Sequence, residues 1–346
     1  MMRYAHNALY LHILLICLCT HANAQPDAAT ETINDSTLRE LVMVLAADSM
    51  QGRFAGSAGN KLAADFIAAE FRKAGAKPVA GNDGYFMPFY AFDVRRGRVE
   101  AVNIIGSLPG RSKSREVIIF CAHYDHVGTV STNPHQLPGR SGAKGDTIFN
   151  GANDNASGVS GLIALMRYYA KMDTQERTLL FIAFSAEELG LQGSKAFQKY
   201  VDDPLTIKAV INLEMIGRGR SSARVRPFIT GDHLSDLRKI LNKELSQADR
   251  KKYGNNYFLR DASGEEQLFA RSDNFPFAEL GIPAHTFIAG TPLDPLYHSV
   301  NDEVESLNFN MMAEILHAIV IGCQPLVNGS VAPSRIDPNR IGEKLF

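Results

Sequence analysis

Short apolar runs that alternate with helical patterns constrain the fold of this chain more than any other feature. Four runs lack the polar alternation of a half-exposed strand, which is typical of strands covered on both faces; they are Val117–Cys121, Leu179–Phe184, Ala209–Leu213 and Ala284–Ile288. Apolar residues at helical spacing lie around them, in three stripes that start at Leu62, Val159 and Phe309. This alternation predicts an α/β sandwich with a largely parallel sheet.

Length and composition describe an ordinary globular chain. A chain of 346 residues allows one large domain or two, and 45% apolar with 21% charged residues exclude a disordered chain, a collagen and a coiled coil. Lys plus Arg number 36 against 37 Asp plus Glu, so no basic surplus favours nucleic acid as a partner. No repeat or convincing linker divides residues 25–346, which we expect to form a single domain.

Residues 1–24 have the pattern of a secretory signal peptide. Arg3 precedes an apolar stretch from Leu9 to Cys19, and Ala22-Asn23-Ala24 supplies the small–x–small cleavage pattern. The unbroken run Ile13–Cys19 is shorter than the roughly 20 residues that span a bilayer, so a cleaved signal is favoured over an uncleaved anchor. The mature chain is therefore expected in the periplasm or outside the cell, without a membrane anchor.

Two cysteines remain in the mature chain. Cys121 lies in an apolar run and Cys323 in the last helical stripe. A single disulfide between them is one interpretation, but two buried thiols are favoured, because two cysteines do not make a disulfide framework.

Acidic residues and histidines cluster where the apolar runs end or turn, and this edge of an α/β sheet is where ligands gather. His123 and Asp125 are two residues apart at a strand end, so they share a face. The turn Asn150–Gly158 carries an acid at the entrance to a helix, and an adjacent pair of glutamates follows another strand. The complete set of candidates is His123, Asp125, Asp154, Glu187, Glu188, Glu214 and His298.

Most of these candidates also have an ordinary structural interpretation. The strand-end pair fits a polar surface cluster, Asp154 fits a helix N-cap, the two glutamates fit a first helical turn, and His298 alone fits a structural histidine. Glu214 is different, because a carboxylate that closes an apolar strand is costly to bury unless it is paired or coordinated. Together, the imidazoles and carboxylates suit zinc or a similar divalent ion, and more than four candidate ligands indicate two ions that share a carboxylate.

Five motifs give the chain a resemblance to the M28 family of zinc aminopeptidases, from about Leu38 to His317. They occur in the family's order, and the segment Gln51–Asn60 also resembles the family's N-terminal lead-in. The five motifs are Ala-His-Tyr-Asp-His, Asn-Gly-Ala-Asn-Asp-Asn-Ala-Ser-Gly, Ser-Ala-Glu-Glu-Leu-Gly, Asn-Leu-Glu-Met-Ile-Gly-Arg and Tyr-His-Ser.

The resemblance implies a three-layer α/β/α sandwich around a mixed sheet, with two zinc ions. Glu187 would be the general base for a zinc-activated water, Asp125 would orient a metal-binding histidine, and Tyr297 would support the oxyanion, although a packed aromatic also explains this tyrosine. The ligand set that the resemblance implies is His123 and Glu214 on one ion, Glu188 and His298 on the other, and Asp154 between them.

The chain departs from the family's pattern at Glu214, where relatives most often have aspartate. Both residues are carboxylates, so coordination can survive, but the extra methylene can change monodentate to bidentate binding or weaken that metal. This substitution makes the occupancy of that site the least secure part of the expected centre.

The expected substrate is a peptide with a free N-terminus, from which an exopeptidase would remove the first residue. Three alternatives remain open: a glutaminyl cyclase, a carboxypeptidase that grips a C-terminal carboxylate with Arg218 or Arg271, and a non-catalytic binding protein on the same scaffold. The intact His123-x-Asp125 pair and the two adjacent glutamates argue against the cyclase, and the complete set of ligands and base argues against the binding protein.

Overall fold

The computed structural model describes residues 29–79, 81–132, 145–219, 226–261, 267–289 and 294–341. In these residues nine strands form one sheet. The four predicted apolar runs all lie in strands of this sheet, namely β4, β5, β6 and β9. The strand bounds are β1 Lys77–Pro78, β2 Phe86–Asp93, β3 Gly97–Leu108, β4 Lys113–His123, β5 Arg177–Phe184, β6 Ile207–Glu214, β7 Phe228–Ile229, β8 Leu259–Arg260 and β9 Ala284–Ile288.

The centre of the sheet is parallel and its flanks are mostly antiparallel. The strand order is β1-β3-β5-β4-β6-β9-β7-β8, with β2 paired to β3. Strands β5, β4, β6 and β9 are parallel to one another, whereas β3 is antiparallel to its three partners and β7 is antiparallel to β9. This confirms the expected mixed sheet, and it places the carboxyl ends of the four central strands at one edge.

Helices cover both faces of the sheet, which confirms the three-layer prediction. Along β4, Ile118 and Phe120 join one apolar cluster, whereas Ile119 and Cys121 join another. Because successive strand side chains point to opposite faces, the two clusters lie on opposite sides of the sheet. The main helices are α1 Asp35–Leu45, α2 Ala58–Lys73, α3 Gly158–Met172, α4 Gln192–Gln198, α5 Leu237–Tyr253, α6 Phe275–Glu279, α7 Phe309–Gly322 and α8 Gln324–Val327.

The buried face of α2 differs from the predicted one. The sequence stripe of Leu62, Phe66 and Ala69 predicts the helix, but Leu62 is 50% exposed, and the buried side is built mainly from alanines with Ile67 and Phe71. Small side chains let the helix approach the sheet closely, and a Cβ on Gly106 of β3 would lie 2.9 Å from the Phe71 ring. Close packing therefore selects the alanine face over the face with larger side chains.

The two described cysteines are free and buried. Cys121 belongs to the cluster on one face of the sheet and Cys323 to the cluster on the other. The sheet itself separates the two sulfurs, so the interpretation as two buried thiols is confirmed and the disulfide interpretation is wrong.

One sequence prediction, the export signal of residues 1–24, falls outside the described residues. Among the described helices, none combines the length and the apolar character needed to cross a bilayer.

Candidate metal centre

The candidate residues converge at the edge where the central parallel strands end. Strand β4 ends at His123, and β6 ends at Glu214. The chain that leaves β5 carries Glu187 and Glu188 directly after the strand. Parallel neighbours bring these carboxyl ends together, which is the physical reason that residues about ninety positions apart share one site.

A first group of possible ligands contains His123, Asp154 and Glu214. Nε2 of His123 lies 3.2 Å from Oε1 of Glu214 and 3.4 Å from Oδ1 of Asp154. All three side chains are buried. The other oxygen of Glu214, Oε2, accepts a hydrogen bond of 2.8 Å from the Ser272 hydroxyl, which leaves one carboxylate oxygen facing the histidine.

A second group contains His126, Asp154, Glu188 and His298, whose ligand atoms all lie within 4.8 Å of one another. Nε2 of His298 lies 3.1 Å from Oδ2 of Asp154 and 3.1 Å from Oε1 of Glu188. Nδ1 of His126 lies 3.2 Å from the same glutamate oxygen. Asp154 therefore directs one oxygen to each group and stands between them.

The turn before α3 holds Asp154 through its backbone. The buried carboxylate of Asp302 accepts hydrogen bonds from the backbone N–H groups of Asn153 and Asp154, at 3.0 and 3.1 Å. At the start of the helix, the side-chain oxygen of Asn155, and not that of Asp154, accepts from the N–H of Gly158. The ordinary N-cap interpretation of Asp154 therefore does not apply, and its carboxylate faces the two histidine groups instead.

Asp125 contacts His123 differently from the expected arrangement. Nδ1 of His123 donates to the backbone carbonyl of Asp125 at 3.1 Å, while the nearer carboxylate oxygen is 3.8 Å away. The carboxylate instead accepts from the backbone N–H groups of Glu187 and Glu188, at 3.1 and 3.2 Å. One residue thus fixes the histidine ring through its backbone and the glutamate turn through its side chain.

Burial and neighbouring charges have opposite effects on the pKa values of the side chains in this cluster. Burial raises the pKa of Glu188, but the adjacent His298 and His126 rings overcome it and hold that pKa well below its usual range. Burial lowers the pKa of His298, while Glu188 and Asp154 raise it to about 10. Burial, opposed by His123 and reinforced by Glu188, raises the pKa of Glu187 well above its usual range. The carboxylates therefore depend on nearby positive charge, which a divalent cation also supplies.

The sequence reasoning gave no role to two residues of this site, His126 and Arg53. His126 is fully buried in the second group, although strand periodicity points only to His123 and Asp125. The strand ends at His123, so the two-residue period no longer applies beyond it. The signal available for His126 was its place in the same motif, three residues after the first histidine.

Tyr297 and an apolar wall complete the cleft in front of the two groups. The Tyr297 ring stacks on His298, with ring centroids 3.9 Å apart. The apolar side chains of Met215, Leu268 and Ile288 also line the cleft, together with Arg271.

Residues 103–320 match the model of peptidase family M28. Aminopeptidase YwaD of Bacillus subtilis strain 168 is 29% identical to this chain over 213 residues, which are 60% of this chain and 40% of that protein. The chain spans about half of the length, or less, of the curated relatives that it matches.

Two solved structures have the same fold. The Bacillus subtilis zinc aminopeptidase BSAP has a TM-score of 0.63 at 18% identity, over 87% of this chain and 97% of that chain. The Porphyromonas gingivalis glutaminyl cyclase has a TM-score of 0.66 at 15% identity, over 86% and 99%. The family match covers more than half of the sequence and includes both ligand groups, so the chain belongs to peptidase family M28.

Proposed function

We propose that this protein is a zinc-dependent aminopeptidase that hydrolyses the first peptide bond of peptides with a free N-terminus. The position of Asp154 carries the proposal. Its two oxygens face two different imidazole-containing groups, at 3.4 Å from His123 and 3.1 Å from His298. A carboxylate shared in this way is the arrangement that two co-catalytic ions require. The name of the Bacillus relative, an aminopeptidase, supports the same activity.

The donor atoms fit zinc in both type and spacing. Nitrogen and oxygen ligands about 2.0–2.1 Å from a tetrahedral ion stand roughly 3.3 Å apart. Within the two groups, the histidine nitrogens lie 3.1–3.7 Å from the carboxylate oxygens that they face. Because a carbonyl oxygen only accepts, the proton of a neutral His123 is on Nδ1, and the lone pair of Nε2 faces two carboxylates. A cation bound between these acceptors makes that arrangement favourable.

Glu187 is the candidate proton carrier. Zinc bound at this centre would lower the pKa of a coordinated water and polarise the scissile carbonyl. Glu187 lines the cleft but belongs to neither ligand group, and burial raises its pKa well above the usual range. These properties suit a carboxylate that takes a proton from the attacking water and delivers it to the leaving amine.

Tyr297 and the cleft walls would act on the substrate. Burial raises the pKa of Tyr297, so its hydroxyl stays neutral and can donate a hydrogen bond to the developing oxyanion. The cluster's carboxylates would attract the substrate's N-terminal ammonium group. The wall of Met215, Leu268 and Ile288 favours an apolar first side chain.

The carboxypeptidase alternative now depends on one arginine of the two considered. The Arg218 guanidinium is 2.5 Å from Asp294 and 3.1 Å from Asp302, so it serves the loops of the site rather than a substrate carboxylate. Arg271 is exposed and lines the cleft. The glutaminyl cyclase alternative shares the fold of this chain, so the reaction product is what separates it from the aminopeptidase.

Mass spectrometry of a mixed peptide set, incubated with the zinc-loaded protein, tests this function. We expect stepwise loss of N-terminal residues, fastest for apolar ones, and no loss in the presence of a chelator. Trimming from the C-terminus would assign a carboxypeptidase, and loss of ammonia from peptides that start with glutamine would assign a cyclase. Either product pattern would overturn the proposal.

The role of Glu187 predicts a separation of metal binding from turnover. Glu187→Gln should retain the zinc content of the wild type and lose at least about a hundredfold in kcat, the contribution typical of a general base. Glu188→Gln provides the contrast, because its carboxylate belongs to a ligand group and its loss should reduce zinc content as well. Wild-type kcat in the Glu187 variant would remove this residue from the base role.

A further inference from the structure

His126 is the one member of the second ligand group whose role neither the sequence resemblance nor the proposed mechanism explains. Its side chain is fully buried. Nδ1 lies 3.2 Å from Oε1 of Glu188 and 3.7 Å from Oδ2 of Asp154, the same two oxygens that face Nε2 of His298. Two imidazole nitrogens thus approach one pair of carboxylate oxygens.

The surroundings of His126 fix its ring in this position. Its backbone N–H donates to the carbonyl of Arg53, and the ring packs over Gly151, where a Cβ would lie 2.5 Å from ring carbons. The ring is nearly perpendicular to that of His298, at 79°, so the rings do not stack and each presents an edge to the acids. Among the described residues, the far nitrogen Nε2 is buried without a hydrogen-bond partner.

A core histidine with only a structural role has the opposite pattern, and His285 of this chain shows it. Both ring nitrogens of His285 are hydrogen-bonded, to the Ser235 hydroxyl at 2.7 Å and to the Thr230 carbonyl at 2.8 Å. His126 instead directs Nδ1 at two carboxylates that already face another imidazole, and this is the arrangement of a metal ligand.

We propose that His126 is a fourth protein ligand of the second ion, through Nδ1, which makes the two metal sites unequal. This inference rests on the proposed dinuclear centre. The second site then has four protein ligands, His126, Asp154, Glu188 and His298, which complete a tetrahedral shell. The first site has three, His123, Asp154 and Glu214. A zinc site with four protein ligands is closed, whereas one with three leaves a position for water or substrate.

The unequal shells have two consequences. The four-ligand site fills first and loses its ion last, because it has one more protein donor. The three-ligand site is the one that receives the water and the scissile carbonyl, and its ion exchanges more readily. Ser272 donates to one oxygen of Glu214, and the other oxygen faces the first site.

Metal titration of His126→Asn tests the assignment. Asparagine retains a hydrogen-bond donor near the place of Nδ1 but removes the imidazole. We expect wild-type protein to bind two zinc ions with clearly different resistance to a competing chelator, and the variant to lose the tighter site, with its dissociation constant at least tenfold higher. His285→Asn, at the other buried histidine, is the matched control and should leave both dissociation constants unchanged.

The outcomes separate this inference from the proposed function. Two zinc ions and peptide hydrolysis in the wild type, with unchanged zinc affinities in His126→Asn, would overturn only the role of His126. Failure of the wild type to bind two ions would overturn the dinuclear centre and this inference together.

X-ray absorption of wild-type protein with one equivalent of zinc does not depend on the folding of a variant. If the four-ligand site fills first, the spectrum should show two imidazoles around the ion. A single imidazole would contradict the proposal.

Discussion

The surroundings of a single side chain decide its charge in this protein, and His285 is an example away from the metal centre. It lies in β9 and is fully buried. Nδ1 donates to the Thr230 carbonyl, and Nε2 accepts from the Ser235 hydroxyl. Burial lowers the pKa of this histidine from 6.5 to about 4, so the folded protein keeps it neutral.

This lowered pKa predicts a loss of stability in mild acid. Below pH 6.5 the unfolded chain binds a proton at His285 that the folded chain rejects until about pH 4. The free energy of unfolding should therefore fall as pH decreases across this window, by at most about 1.4 kcal/mol per pH unit for one group. Urea denaturation of chelated wild type and His285→Asn, at pH 7.5, 6 and 5, checks this. The variant should show a smaller decrease than wild type; equal decreases would contradict the assignment.

The loops and turns around the site are joined by one buried cation. The guanidinium of Arg53 is fully buried and donates to four backbone carbonyls, in three different segments. The acceptors are Tyr124 after β4, Leu45 at the end of α1, and Asn150 and Gly151 before the Asp154 turn, at 2.6–3.0 Å. Burial lowers its pKa to about 10, so it remains charged at neutral pH. The planar fork of arginine meets these diverging acceptors, which the single ammonium of lysine does not.

Substitution of Arg53 should therefore lower the free energy of unfolding even when the positive charge is retained. In Arg53→Lys the ammonium keeps the charge but leaves carbonyls without donors, at roughly 1–3 kcal/mol for each buried group left unsatisfied. We expect a decrease of about 2–4 kcal/mol in the free energy of unfolding, measured by urea denaturation of chelated protein. Arg111→Lys is the control, because its contact with Asp173 is 3.4 Å long and largely exposed, and exposed pairs contribute little. Similar effects of both substitutions would contradict this role.

At the scale of the whole molecule, segments far apart in the sequence contribute to the candidate metal centre. The candidate ligands span the chain from His123 to His298 and come from the ends of β4 and β6, the turns before α3 and after β5, and the loop before α7. Bound cations would join these segments and offset the repulsion among buried carboxylates. Metal binding should therefore stabilise the fold as a whole and not only the site.

We expect removal of the metal to lower the unfolding temperature of the protein. At a free zinc concentration one hundred times the dissociation constant, one bound ion adds about 2.7 kcal/mol to the free energy of unfolding. Thermal unfolding of zinc-loaded, chelated and re-loaded protein should show a decrease in Tm with chelator and recovery with zinc. Glu188→Gln should show a smaller response, because it lacks one ligand. An unchanged Tm after confirmed metal removal would contradict the stabilising role.

The outer strands of the sheet could not be predicted from the sequence pattern. Central strands are buried on both faces, so their continuous apolar runs are visible in the sequence. The burial of β2 alternates irregularly between exposed and buried positions, and β7 and β8 have two residues each, too few for any periodicity. Pairing with neighbouring strands, rather than local composition, determines that these segments are strands.

The sequence by itself determined the central strands, the helices that follow them and the positions of most chemistry-bearing residues, because burial and strand ends leave local signals. Tertiary structure alone decided which residues meet. It placed His126 beside Glu188, turned the Asp125 carboxylate to the glutamate turn, and enclosed Arg53 among four carbonyls. These contacts join segments outside the helices and strands, where neither the helical nor the strand periodicity of side chains applies. The contacts form only when the parallel strands bring those segments to one edge of the sheet.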